Sequence, residues 1–132
     1  MPKRILHHAN LGQPIGVFSQ ATMVNTPGRM IFVSGLVARG QDGAVVGRDD
    51  VKAQTRYILD NLQTILAEGG ATLADVVKVT VFIRDMAHFA QIHEVRRDYF
   101  PESPPASTMV EVSRLTHDDL LIEIEAVAVV EQ

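Results

Sequence analysis

The chain contains no cysteine. Disulfides, thiolate metal centres and cysteine nucleophiles are therefore excluded, and the cellular compartment stays open on that ground. Positive charge is also short: 12 Lys and Arg face 16 Asp and Glu, for a formal net charge of −4. A nucleic-acid-binding domain usually presents a basic face, so nucleic acid is not an expected partner. No apolar run approaches the ~20 residues that a membrane-spanning helix needs, so no membrane partner is expected either. The first residues, Met-Pro-Lys-Arg-Ile-Leu-His-His, are charged and lack the apolar stretch of a signal peptide. With 46% hydrophobic and 21% charged residues, the 132-residue chain is expected to be one soluble, cytoplasmic domain spanning residues 1–132.

What is present is a sequence of alternating patterns. Residues 17–24 predict a first strand, ended by the turn chemistry of Asn25-Thr26-Pro27-Gly28, and residues 30–33 predict a second. Asp42-Gly43 marks a tight turn before a short strand at 44–46. Asp49 or Asp50 caps a helix whose apolar stripe is Val51, Ile58, Leu62, Ile65 and Leu66, and Gly69-Gly70 ends it. Residues 76–83 form a strand rich in β-branched side chains, with Val77, Val79, Val81 and Ile83 on one face and Lys78, Thr80 and Phe82 on the other. Asp85 caps a second helix that runs to about Phe100 and stops before Pro101. Two more strands follow, 107–115 and 120–130, and the turn at 116–119 predicts that they pair as a hairpin. This order predicts an α+β fold with one sheet and both helices on a single face.

Two helices cover one side of such a sheet. Strand parity puts Lys78, Thr80, Phe82, Ser107, Met109, Glu111, Leu121, Glu123, Glu125, Val127 and Val129 on the other. That mixture is too apolar for bare surface and too charged for a monomer core, so it predicts a subunit interface. Glu123 and Glu125 stand out because two acids share one face of the most apolar strand. An unpaired buried carboxylate is costly. Two readings stay open: an interface salt-bridge network of Glu111, Glu123 and Glu125 with Lys78, Arg84 or Arg114, or a glutamate that positions or deprotonates water.

Other candidate motifs fail on spacing. Gly40, Gly43 and Gly47 match neither a dinucleotide nor a phosphate loop. Ser34 lacks the Gly-x-Ser-x-Gly elbow of a hydrolase nucleophile. His88 and His93 are five apart and do not share a helical face as metal ligands; with His7-His8 near the terminus, no metal site is expected. On the second helix, His93 and Arg96 fall inside the apolar stripe of Phe89, Ile92, Tyr99 and Phe100. Arg96 either makes a structural contact or serves as an anion anchor, for which its planar fork suits a carboxylate.

Several segments together resemble the Rid family, the YjgF-like reactive intermediate deaminases. They are Ile-Gly-Val-Phe-Ser-Gln at 15–20, Phe-Val-Ser-Gly at 32–35, Asn-Leu-x-x-Ile-Leu at 61–66, Val-Val-Lys-Val-Thr-Val-Phe at 76–82, Asp-Tyr-Phe at 98–100, Val-Glu-Val-Ser-Arg-Leu at 110–115 and Ile-Glu-Ile-Glu-Ala-Val-Ala-Val at 122–129. The resemblance implies a chorismate-mutase-like fold: a six-stranded mixed sheet, two helices on one face, and a homotrimeric barrel with clefts between subunits. It also implies hydrolysis of an imine, enamine or related small metabolite without metal or organic cofactor.

In such a family site an arginine holds the substrate carboxylate, backbone amides assist, and a glutamate places the attacking water. Glu123 matches that glutamate and Gly35 the pocket glycine. Other positions depart from the pattern. Ser107 stands where the family arginine is expected, Phe18 replaces a tyrosine, and His93 replaces an asparagine. Loss of the arginine should cost on the order of 2–5 kcal/mol in substrate binding. Altered specificity is therefore expected, with Ser107, His93, Phe18 and Arg96 shaping recognition. The alternative is a non-catalytic metabolite-binding or regulatory trimer. Ribonuclease activity, known in some relatives, fits poorly with an acidic chain.

Overall fold

A computed structural model describes residues 3–6, 9, 16–19, 21–25 and 27–131. The His7-His8 pair lies outside them. Among the described residues six strands and two helices follow in the order β1 (Lys3–Leu6), β2 (Ala21–Val24), β3 (Gly28–Val37), α1 (Val51–Glu68), β4 (Val76–Ile83), α2 (Phe89–Tyr99), β5 (Ala106–Glu111) and β6 (Ile122–Glu131). Single 3-10 turns at Leu73–Asp75 and Met86–His88 lead into β4 and α2.

The expected α+β class with two helices and a mixed sheet is what the chain adopts. The strands, however, divide into a four-stranded sheet of order β3-β6-β4-β5 and a separate antiparallel pair, β1-β2. The pair reaches the larger sheet through Thr22 Oγ1, which donates to Val77 O at 2.9 Å, and through Lys3 Nζ, which donates to Val76 O at 2.8 Å; just before β2, Ser19 bridges to Ala106 of β5. Strand β1 escaped sequence reading because four residues with two charges show no alternation. The expected strand at 17–24 is a strand only over Ala21–Val24, and the run at 44–46 makes only the bridge between Arg39 and Val45.

The predicted β5–β6 hairpin does not form. Strand β4 lies between the two, antiparallel to β6 and parallel to β5. A helix joins β4 to β5, and a strand–helix–strand connection favours parallel pairing. Its register corrects a second expectation. Ser107 pairs with Val79, Met109 with Val81 and Glu111 with Ile83. Val79, Val81 and Ile83 are buried beneath the helices, so Ser107, Met109 and Glu111 face the helical side and not the open one. Lys78, Thr80 and Phe82 keep the predicted open face and align with Val127, Glu125 and Glu123 of β6.

Helix α1 begins where Asp50 accepts a 3.0 Å hydrogen bond from Ala53 N, and it ends at Gly69. Its buried side is Val51, Gln54, Thr55, Ile58, Leu59, Leu62 and Leu66. Ile65, assigned to the stripe from sequence, is 46% exposed, and Leu59 takes its place. These residues pack with Ile92, Val95 and Phe100 against Val79, Val81, Ile83, Ile122, Ile124 and Ala126. Gln54 is the polar clasp in this core. Its side-chain nitrogen donates to Gly47 O at 3.1 Å and Asp119 O at 2.9 Å, while Leu121 N donates to its oxygen at 2.8 Å. The clasp fixes the loop that delivers β6 to the sheet. Gln54→Leu keeps the volume and strips three backbone groups of their partners, so it should cost about 2–4 kcal/mol in urea denaturation. A loss under about 1 kcal/mol would mean that water replaces the amide.

Candidate functional site

The first group of interest sits on the open face. Glu123 on β6 lies between Phe82 of β4 and Val37 of β3. It is half-buried, and no described residue offers it a hydrogen bond or an ion pair. Beside it β3 carries a bulge: Val33 pairs with Ala126 and Leu36 with Ile124, leaving β3 one residue longer over that interval. Gly35 occupies the bulge, and a Cβ there would overlap the Glu123 carboxylate. Glycine is thus required by close approach. Sequence reading paired Gly35 with Glu123 through resemblance alone; the structure puts them in direct contact.

The acids do not form the network considered from sequence within this chain. Lys78 Nζ donates to Thr108 Oγ1 at 2.8 Å, and Glu111 accepts from Met86 N at 2.8 Å, which ties β5 to the turn before α2. Glu125 is exposed opposite Thr80.

The second group lies on the helical side, at the outer strand β5. Helix α2 places His93 and Arg96 one turn apart, both buried. Arg96 Nη2 donates to Val17 O at 3.0 Å and to Ser107 Oγ at 3.1 Å. Arg96 Nη1 has no partner among the described residues. Burial without a counter-charge lowers the Arg96 pKa to about 10, so it remains a cation at neutral pH.

His93 is pushed below its ordinary value, first by burial and next by the charge of Arg96, against a smaller opposing effect of Phe89 O. It is therefore neutral at pH 7. Its Nδ1 lies 3.1 Å from Phe89 O, which can only accept, so Nδ1 carries the proton and Nε2 is left as an acceptor. The Phe89 ring stacks on it at 4.2 Å. Gly16 covers the Nε2 edge so closely that a Cβ would strike the ring. Residues 16–19 form a strap over this group, held by Ser19 N on Pro105 O at 3.0 Å and Ser19 Oγ on Pro104 O at 2.5 Å. Phe18 is half-buried in the same strap.

The predicted residues thus fall into two sets on opposite faces of the sheet: Gly35 with Glu123, and Ser107 with Arg96 and His93. From sequence both Ser107 and Arg96 are expected to shape recognition, with Arg96 a candidate to replace the missing anchor, but strand parity puts Ser107 on the open face; the structure brings the two into contact on the helical side. The carbonyl of Val17 was missed altogether, since no sequence signal marks a backbone acceptor.

Comparison with known proteins agrees with this architecture. Residues 9–130 match the endoribonuclease L-PSP family. A RutC family protein of Pyrococcus abyssi is 44% identical over 128 residues, covering 97% of this chain and 98% of that protein. Protein DfrA of Myxococcus xanthus is 35% identical over 129 residues, covering 98% and 97%. The crystal structure of YyfB, a Rid-family protein of unknown function from Yersinia pestis, superposes with a TM-score of 0.89 at 33% identity, covering 98% of this chain and all (100%) of that one.

Proposed function

The chain belongs to the endoribonuclease L-PSP family, also known as YjgF/Rid, and from that premise we propose that it hydrolyses an imine, enamine or related small nitrogenous metabolite. It does so without a cofactor, as a cytoplasmic homotrimer whose clefts lie between subunits. The observation that carries this reading is the half-buried Glu123 carboxylate, free of partners among the described residues and lying against the bare backbone of Gly35. A carboxylate so placed accepts a hydrogen bond from water and aims it at the C=N carbon. An enamine first tautomerises to the imine. Water adds at the C=N carbon, and one of its protons passes by way of the carboxylate to nitrogen, giving a carbinolamine; the hydroxyl proton follows by the same route, the C–N bond breaks, and ammonia leaves behind a carbonyl. Gly35, bare of a side chain, leaves the Glu123 carboxylate the room it occupies, and its backbone amide is offered to the substrate.

Two sets on opposite faces of one sheet do not make a single site within a chain. A neighbouring subunit bringing its helical edge against this open face supplies the second set, which is why the trimer belongs to the proposal. The alternative, a metabolite-binding or regulatory trimer without turnover, draws on one observation: Ser107 stands where the family pattern has its arginine. An endoribonuclease role is not proposed for a chain of net charge −4.

The deciding experiment generates 2-aminoacrylate and 2-iminobutyrate enzymatically and follows ammonia and 2-oxo acid release. Acceleration over the buffer rate supports hydrolysis. Equal rates with and without protein, for both compounds, overturn it in favour of the binding reading.

A further inference from the structure

We infer that Arg96 is the carboxylate-recognition residue of this protein, supplying from helix α2 the charge that Ser107 no longer supplies from β5. The inference rests on the reading of the site as a metabolite cleft and names its ligand class: small molecules bearing a carboxylate beside the reacting carbon.

Among the described residues three buried side-chain nitrogens lack a partner: Arg84 Nε, His88 Nδ1 and Arg96 Nη1. Arg84 and His88 are partly exposed residues, whereas Arg96 is 1% exposed. A cation taken out of water is normally matched by an acid. No described acid matches this one: burial lowers its pKa, and neither of its two hydrogen bonds to described residues goes to a carboxylate. If its task were only to tie the strap to β5, a neutral amide would make the same bonds at far lower cost. The charge has a use when an anion arrives.

The geometry suits that use. Nη1 has no partner among the described residues, and Nη2 reaches a neutral carbonyl and a neutral hydroxyl, either of which a carboxylate outcompetes as an acceptor. An entering carboxylate takes both nitrogens as a fork. Ser107 is the small residue this arrangement needs, because its hydroxyl accepts from the guanidinium where a second arginine would repel it. His93, neutral and directly beside Arg96, adds no second cation, so the site suits a single negative charge. Since Nη1 is out of reach of solvent, admission requires residues 16–19 to shift, and the bond from Arg96 to Val17 O is the one exchanged.

The test compares 2-oxobutyrate with its uncharged amide, 2-oxobutanamide, by isothermal titration of the intact wild type, Arg96→Gln, Arg96→Lys and Glu125→Gln. The wild type should bind the acid at least about tenfold more tightly than the amide, a fair value for one charged hydrogen-bonded partner. Glu125→Gln, on the exposed open face and away from this site, should keep that preference. Arg96→Gln, if circular dichroism shows it folded, should bind the two within about twofold. Should Arg96→Gln not fold, Arg96→Lys decides, because a point charge without the fork retains only part of the preference. Equal binding of acid and amide by the wild type, no binding of either, or an undiminished preference in a folded Arg96 variant each overturns the inference. A wild type that prefers the acid yet releases no ammonia from the imines leaves Arg96 as the anchor and removes the hydrolase reading alone.

Discussion

Glu123→Gln should lower the rate of the proposed imine hydrolysis by about 10²- to 10⁴-fold, the range for removal of a positioned general base. Glutamine keeps the shape of the side chain and still accepts a hydrogen bond from water. It cannot take the proton, so the loss should appear in kcat, with KM little changed. Stability should move by less than about 0.5 kcal/mol, because the side chain is half-buried and forms no bond to a described residue that the change would break. Glu125→Gln is the internal control. It alters an acid on the same face two residues along, opposite Thr80 and exposed, and should leave the rate within about twofold. Ammonia release and thermal melts on the three proteins measure both effects. A Glu123→Gln enzyme within about threefold of wild type would remove Glu123 from the chemistry, and equal losses in both variants would point to the charge of the face as a whole.

The fold was legible where a periodicity had one meaning. Strand β4 reads directly because Val79, Val81 and Ile83 alternate with Lys78, Thr80 and Phe82, and the structure buries the first set. Helix α1 reads from its Asp cap and Gly stop. Pairing was not legible, because hydrophobic alternation says which residues share a face but not which strand lies alongside. The turn at 116–119 looked like a hairpin turn, yet the crossover through α2 puts β4 between β5 and β6. With the wrong neighbour, β5 received the wrong parity, and Ser107 was placed with Glu123 on the open face.

That error bears on the site. From sequence, Ser107→Arg looks like the natural way to restore a missing anchor. In the structure the new guanidinium would lie under the helices against Arg96, where like charges in a poorly solvated space repel. The sequence showed that an arginine was absent at one position and that another sat improbably in an apolar stripe. Only the register of β5 against β4 shows that the two facts concern the same place.

Phe32→Glu should convert the proposed trimer to monomers at micromolar concentration. Phe32 is 72% exposed and Met30 59% exposed, and they flank the open face formed with Val127 and Phe82. Large apolar side chains exposed side by side on a sheet call for a partner surface. A glutamate there leaves the fold intact, since Phe32 is outside the core, but in an assembly it buries an unpaired charge. Such a charge costs about 3–5 kcal/mol, which weakens each contact by roughly 10²- to 4 × 10³-fold. A closed ring suffers this at every interface. Sedimentation velocity should show wild type as a trimer and Phe32→Glu as a monomer with unchanged circular dichroism. Because Glu123 and Arg96 lie on opposite faces of one chain, activity should fall with assembly and return as variant concentration is raised. A monomeric variant with full activity would place the whole reaction within one subunit, and a wild type that sediments as a monomer would remove the inter-subunit cleft from the proposal.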